Sequence, residues 1–177
     1  MGAYLVSKGV VKTAVTNAEG KEFITGIHKE GDFIGFVALL EDKPFSESAI
    51  AMEDSELILI PKNEFHDIIS NNREVSHKFI RLLSGNVLEK EHQLLKLAYH
   101  SVRKRVAEAL TLLYDRYKKE DDEVKFSVSR EDLANMVGTA TESAIRTLAD
   151  FKEEGLIDIQ KGDIRILEIE KLRKLKN

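Results

Sequence analysis

Thr139, Glu142, Ser143 and Arg146 recur at i, i+3, i+4 and i+7, so a helix would carry them on one face. That face holds two hydroxyls, one carboxylate and one guanidinium. A guanidinium can bond two acceptors of guanine at once, and a carboxylate can accept from cytosine N4. Such a set near a helix N-terminus suits the reading of base edges in a major groove. Nothing comparable stands elsewhere in the chain. His28, His66, His77, His92 and His100 are scattered, and no pair has zinc-ligand spacing with carboxylate partners. No Walker-type loop, nucleophile elbow or HExxH motif occurs. The adjacent acids Glu41-Asp42 and Asp121-Asp122 stand beside turns and fit loop solubility better than paired catalysis. No metal, no cofactor and no enzyme activity are expected.

Two helices must position that face. Ser129 with Asp132 three residues on is a capping-box pattern, and Leu133, Ala134 and Val137 give the first helix its apolar side. Gly138 falls at the sharp turn, where a residue tolerant of positive φ is needed. Thr139 with Glu142 repeats the capping pattern, and Ala140, Ala144, Ile145, Leu148 and Phe151 form the expected buried side of the second helix. A bare pair of capped helices fits equally a helical hairpin with a solvated face. The next segment favours the nucleic-acid reading: Gly155 ends the helix, and LIDIQKGDIRIL reads as two strands around Lys161-Gly162-Asp163. Helix, turn, helix and β-hairpin in that order make a winged helix-turn-helix.

SREDLANMVGTATESAIRTLADFKEEGLIDI resembles the DNA-binding domain of the cAMP receptor protein/FNR (Crp/Fnr) family of bacterial transcription regulators. EGKEFITGIHKEGDFIG and the helix entering SVRKRVAEAL extend the resemblance to nearly the whole chain, in the family's order. The resemblance implies DNA contacts from Thr141, Glu142 and Arg146. Glu142 and Arg146 keep the family's residue types, and Thr141 stands where many members have Arg. With Thr139 and Ser143 these are the expected DNA-binding residues. The resemblance also implies a homodimer on a palindromic double-stranded operator, RNA polymerase as a further partner, and in some relatives an upstream regulatory domain such as a phospho-acceptor receiver.

Composition sets limits on these readings. The 177 residues are 42% hydrophobic and 33% charged, as in a globular chain of one domain or two small ones. No run of about 18 apolar residues could span a membrane, and the N-terminus lacks a signal-peptide pattern. A cytoplasmic protein without membrane partners is expected. The absence of Cys removes disulfides, thiolate catalysis and the iron–sulfur sensing of some relatives. The net charge of −4 does not by itself announce a nucleic-acid binder, and residues 101–177 hold 16 basic and 16 acidic side chains. Affinity must then come from local clusters such as Arg103-Lys104-Arg105 and from helix N-termini aimed at phosphates. Neutrality also keeps open a winged module that binds protein rather than DNA.

Tyr4 to Ile60 is strand-rich, with turns at Asn17-Ala18-Glu19-Gly20 and Gly31-Asp32 and two strands flanking Glu53-Asp54. Short strands with regular turns suggest a sandwich or roll. By resemblance this is a cyclic-nucleotide-binding β-roll, entered part-way, so a fragment of a longer polypeptide is expected. Its phosphate cassette differs from that of cyclic-nucleotide binders. Gly35-Phe36 stands for their Gly-Glu, and Glu47-Ser48 for their Arg-Ser, after a one-residue insertion. A carboxylate about 4 Å from the cyclic phosphate would repel it by roughly 4 kcal/mol at an effective dielectric near 20. Cyclic AMP is not expected to bind. Gly35, Phe36, Glu47 and Ser48 are the candidate pocket residues, although Gly35 and Ser48 fit equally as turn residues.

From Lys62 the chain reads as helical: a short helix ending near Asn71-Asn72, then a long one opening at Arg73-Glu74. Ile80, Leu83, Val87, Lys90, Leu94 and Leu97 alternate by three and four, an a/d seam interrupted by Lys90. A helix packed on its own roll would show the same short seam; the resemblance implies a dimer interface. A hinge is expected near Tyr99–Val102. A further helix to Lys119 should bury Val102, Val106, Ala109, Leu110, Leu113 and Tyr117. A solvated KKEDDE loop follows, and Ile169, Leu172 and Leu175 suggest an amphipathic tail. The expected architecture is α+β. Residues 1–72 form a partial cyclic-nucleotide-binding-like β-roll, 73–100 the dimerisation helix and 101–177 the winged helix-turn-helix domain.

Overall fold

The computed structural model describes residues 1–118 and 124–177. The acidic stretch after Lys118, with Asp121-Asp122, lies outside the described residues. The chain divides into two compact units. One comprises Met1–Lys21 and Thr25–Leu94, the other Glu22–Ile24 and Leu95–Asn177.

From the N-terminus, β1 (Gly2–Lys8) and β2 (Val11–Thr16) are followed by β3 (Glu22–His28), β4 (Phe33–Ile34) and the short α1 (Phe36–Leu40). Then come β5 (Ser48–Ala51), β6 (Glu56–Pro61), α2 (Lys62–Asn71) and the long α3 (Arg73–Tyr99). Two three-stranded sheets run in the orders β4-β1-β6 and β3-β2-β5. The turn between β2 and β3 closes because the Asn17 side chain accepts from the backbone N–H groups of Glu19 and Lys21, at 3.0 and 2.9 Å. The strands flanking Glu53-Asp54 do not pair with each other. β5 pairs with β2, Val11 opposite Ala51, and β6 pairs with β1, Gly2 opposite Pro61. Pro61 closes β6 and stands at the N-cap of α2, where its fixed φ and missing N–H cost nothing.

Ala3, Phe36, Leu39 and Phe65 form one buried cluster, with Phe33, Ile60, Phe79, Leu82 and Leu83 packed against it. Phe79 of α3 meets Phe33, Phe36 and Phe65 edge-on, with ring centroids 5.2–5.6 Å apart. The N-terminal part of α3 is therefore anchored to its own roll. Along the edge strands β5 and β6, Ile50, Leu57, Ile58 and Leu59 are exposed.

The second unit continues with α4 (Val102–Tyr117), β7 (Lys125–Ser127), α5 (Arg130–Val137), α6 (Thr141–Glu153), β8 (Ile157–Gln160), β9 (Asp163–Ile166) and α7 (Ile169–Arg173). Ser101 caps α4, its hydroxyl accepting from the Lys104 N–H. Val106, Ala107, Ala109, Leu110 and Leu113 bury the core face of α4. Val102 and Tyr117, expected in that stripe, are only partly buried, and Tyr117 stacks on Phe126 at 5.7 Å. β7 is a strand that sequence reasoning missed; it pairs with β9 in the antiparallel order β7-β9-β8.

Candidate nucleic-acid interface

α5 begins as its sequence implies. The Ser129 hydroxyl accepts from the Asp132 N–H at 2.9 Å, and Leu133, Ala134 and Val137 are buried. Gly138 then takes φ +63°, and both its N–H and that of Thr139 return to the Ala134 carbonyl. This left-handed cap closes the helix on the Ala134 carbonyl. A Cβ at Gly138 would come within 2.9 Å of the end of the Leu97 side chain, which could give way, so it is the positive φ that favours glycine here.

The same cap draws Thr139 out of the following helix. α6 starts at Thr141 with Ala140 at its N-cap, and no side chain caps it, so the Thr139–Glu142 capping box does not form. Ala144, Thr147, Leu148 and Phe151 are its buried residues. Two expectations fail here: Ala140 is exposed, and Ile145 is 47% exposed. Thr147 takes the place expected of Ile145, its hydroxyl satisfied by the Ser143 carbonyl at 2.9 Å. The outward face of α6 thus carries Glu142, Ile145 and Arg146, with the Arg146 guanidinium 3.5 Å from the Ser143 hydroxyl. Thr141 and Ser143 are half-buried at the start of the helix, and Thr139 sits in the turn before it. Ile145 was missed because an apolar residue was assigned to the core. Its spacing of three from Glu142 is the signal that would have found it.

The basic cluster before α5 has a different role from the one expected. Arg103 grips both carboxylate oxygens of Glu154 at 2.7 and 2.6 Å and lies 4.6 Å over the Phe151 ring. Arg105 donates to the Val137 and Gly138 carbonyls at the end of α5. Both arginines hold the helix pair together. At the wing, Lys161 and Gly162 turn the chain with positive φ. The Asp158 carboxyl is held below its ordinary range by the hydrogen bond from Gln160, then by the Ile159 N–H and Lys152.

In the first unit, Gly35 precedes α1 with φ +79°, and a Cβ there would meet the Phe45 ring at 2.9 Å. Phe36, a candidate pocket residue, is instead buried in the core, whereas Glu47 and Ser48 are exposed. Among the described residues, no group of His, Asp or Glu side chains could hold a metal ion.

On α3, no residue of the 27 is buried. Of the seam residues, Leu83 packs on the roll's aromatic cluster, Lys90 donates to the Thr25 carbonyl, and Leu97 is half-buried beside Gly138. Ile80, Val87 and Leu94 are exposed, as are Leu88, Leu95 and Tyr99, which lie outside the seam inferred from sequence.

A helix pair packed on one face and presenting Glu142, Ile145 and Arg146 on the other, followed by a two-stranded wing, defines a winged helix-turn-helix protein, here in one chain with a β-roll. Residues 104–175 match the Crp-like helix-turn-helix domain, and residues 1–72 match the cyclic nucleotide-binding domain. The chain is 30% identical to the transcriptional regulatory protein btr of Bordetella pertussis, over 97% of this chain and 72% of that one. It is 29% identical to the cyclic AMP receptor protein of Thermus thermophilus, over 93% of this chain and 74% of that one. A solved Crp/Fnr-family regulator from Thermus thermophilus superposes with a TM-score of 0.82 at 24% identity, covering 98% of this chain and 87% of that one. FixK2 of Bradyrhizobium japonicum gives 0.84 at 22%, over 99% and 87%. The chain belongs to the Crp/Fnr family of DNA-binding transcription regulators.

Proposed function

We propose that the chain acts as a homodimer that reads a palindromic operator, one α6 helix entering the major groove at each half-site. The observation that carries this reading is the outward face of α6. Glu142 and Arg146 stand exposed above a fully packed opposite face, and the Ser143 hydroxyl lies beside the guanidinium. Arg146 and Glu142 read base edges, and Ile145 supplies an apolar contact of the kind made with a thymine methyl. Thr139, Thr141 and Ser143 contact phosphates or bases, and α6 has no side-chain cap to compete with a phosphate for its first N–H groups.

The dimer forms through the exposed apolar row of α3, and the two α6 helices then address half-sites about 34 Å apart. Regulation works by binding rather than by chemistry, in the cytoplasm, with RNA polymerase as the downstream partner. A signal from the roll, or from a regulatory domain joined ahead of it, shifts the population of DNA-competent dimers. The roll does not take cyclic AMP. Phe36 is buried in the core, and the family resemblance sets the Glu47 carboxylate, exposed here, where cyclic-nucleotide binders carry an arginine. Calorimetric titration with cyclic AMP should show no binding at micromolar concentration; saturable micromolar heat would refute this point.

Selection of genomic fragments with the purified protein tests the main reading. A palindrome with half-sites about one helical turn apart should be enriched. No enrichment by a folded dimer, together with binding that is insensitive to salt, would instead favour a winged module for a protein partner, which the even charge of residues 101–177 would permit.

A further inference from the structure

The break between α3 and α4 leaves two backbone groups without helical partners. Tyr99 ends α3, so its carbonyl lacks an amide one turn further on. Ser101 is the N-cap of α4, and its own N–H precedes the helix. The Asn177 carboxamide meets both groups: its Oδ1 accepts from the Ser101 N–H at 3.0 Å, and its Nδ2 donates to the Tyr99 carbonyl at 3.1 Å. One acceptor and one donor, set on residues two apart, reproduce what a peptide group of a neighbouring strand offers.

Asn177 is delivered there by an element anchored independently of it. Leu172 of α7 is buried, and Arg173 is paired with Asp115 of α4 at 2.7 Å and with Glu170 at 3.1 Å. Losing the carboxamide therefore loosens the break without releasing α7. Lys96, near the end of α3, pairs with Glu108 of α4 at 3.1 Å and braces the same bend from another side.

We propose that Asn177 is a positioning residue for operator binding, clasping the Tyr99–Ser101 link by which the winged domain is joined to α3. This rests on the operator-binding reading above. A clasped link holds each α6 in a narrow range of directions, so two copies accept one half-site spacing. A free link samples more directions, loses affinity for the correct spacing and tolerates wrong ones.

Asn177→Ala removes both hydrogen-bonding groups; Asn177→Asp keeps an acceptor for Ser101 but has no donor for Tyr99. In Asn177→Ala, hydrogen exchange at the Ser101 amide should rise, and affinity for the selected operator should fall, each on the order of three- to tenfold. Discrimination against operators with half-site spacing changed by one base pair should shrink by a similar factor. The thermal midpoint and the affinity for random DNA should stay at wild-type values, which a loosely packed variant would not maintain. Asn177→Asp should keep the Ser101 amide protected. Unchanged Ser101 exchange in Asn177→Ala, an unprotected Ser101 amide in Asn177→Asp, or raised exchange with wild-type spacing discrimination would each overturn the proposal. A wild-type chain that binds no operator would remove the operator reading and the positioning role with it, while Ser101 exchange would still decide whether the clasp exists.

Discussion

Leu94→Glu should yield a folded monomer whose affinity for the operator is lower by a factor on the order of 10² to 10⁴. Leu94 is 67% exposed, so the isolated chain loses little packing when it is replaced. Ile80, Val87 and Leu94 repeat every seven residues along α3, as do Leu88 and Leu95, and all five are exposed. A row of that kind on a 27-residue helix with no buried residue is larger than scattered surface leucines require. Laid against its twin, the row becomes a seam in which residue 94 of each copy faces the other. Two carboxylates there must be dehydrated beside like charge, at a cost of several kcal/mol. A dimer holds its second α6 near the second half-site at an effective concentration far above that of free protein, and the monomer forfeits this. Sedimentation at micromolar concentration and operator titration check both parts. A charge placed at the exposed Val37 of α1, outside the row, should leave the dimer intact. A Leu94→Glu protein that still sediments as a dimer, or a monomer with wild-type operator affinity, would remove α3 as the interface.

Sequence reasoning succeeds on this chain where a local signal meets no competing bond. Ser129 caps α5 because its hydroxyl and the Asp132 N–H are three residues apart in any helix. Gly138 turns because glycine alone takes its φ without strain, and the wing follows from Lys161-Gly162 between two β-branched runs. Failures came where a competing hydrogen bond or a tertiary contact decides. The Thr139–Glu142 pattern is a sound capping box, but the Ala134 carbonyl captures the Thr139 N–H first and α6 starts later. Apolar Ile145 reads as inward from sequence, and Thr147 carries no signal either way; in the structure Thr147 is buried, its hydroxyl donating to the Ser143 carbonyl, and Ile145 faces outward. Arg103 and Arg105 look like phosphate ligands until Glu154, Phe151 and the α5 carbonyls are seen around them. Along α3 the heptad pattern is visible, but only the structure tells that Leu83 packs on the roll and that Lys90 reaches Thr25. β7, three residues long, carries too little pattern to be read at all.

Arg146→Ala should weaken binding to the operator by roughly 1–3 kcal/mol and flatten the preference at one base pair of each half-site. The guanidinium is exposed, and the Ser143 hydroxyl lies beside it at 3.5 Å, so truncation should move folding stability by no more than about 0.5 kcal/mol. The lost energy is therefore a property of the complex. A planar fork can bond two acceptors on one guanine edge, and a wrong base leaves those donors unpaired in a desolvated groove. Lysine keeps the charge but not the fork, so Arg146→Lys should retain attraction to DNA in general while losing most of the discrimination. Removing a phosphate contact behaves differently: it weakens all sequences alike and lowers the salt dependence by about one unit of slope. Titrating wild type and both variants against the four base pairs at each operator position, at two salt concentrations, separates the two cases. Equal losses on operator and random DNA, with a shallower salt slope, would make Arg146 a phosphate ligand and leave Glu142 and Ile145 to carry the base reading on α6.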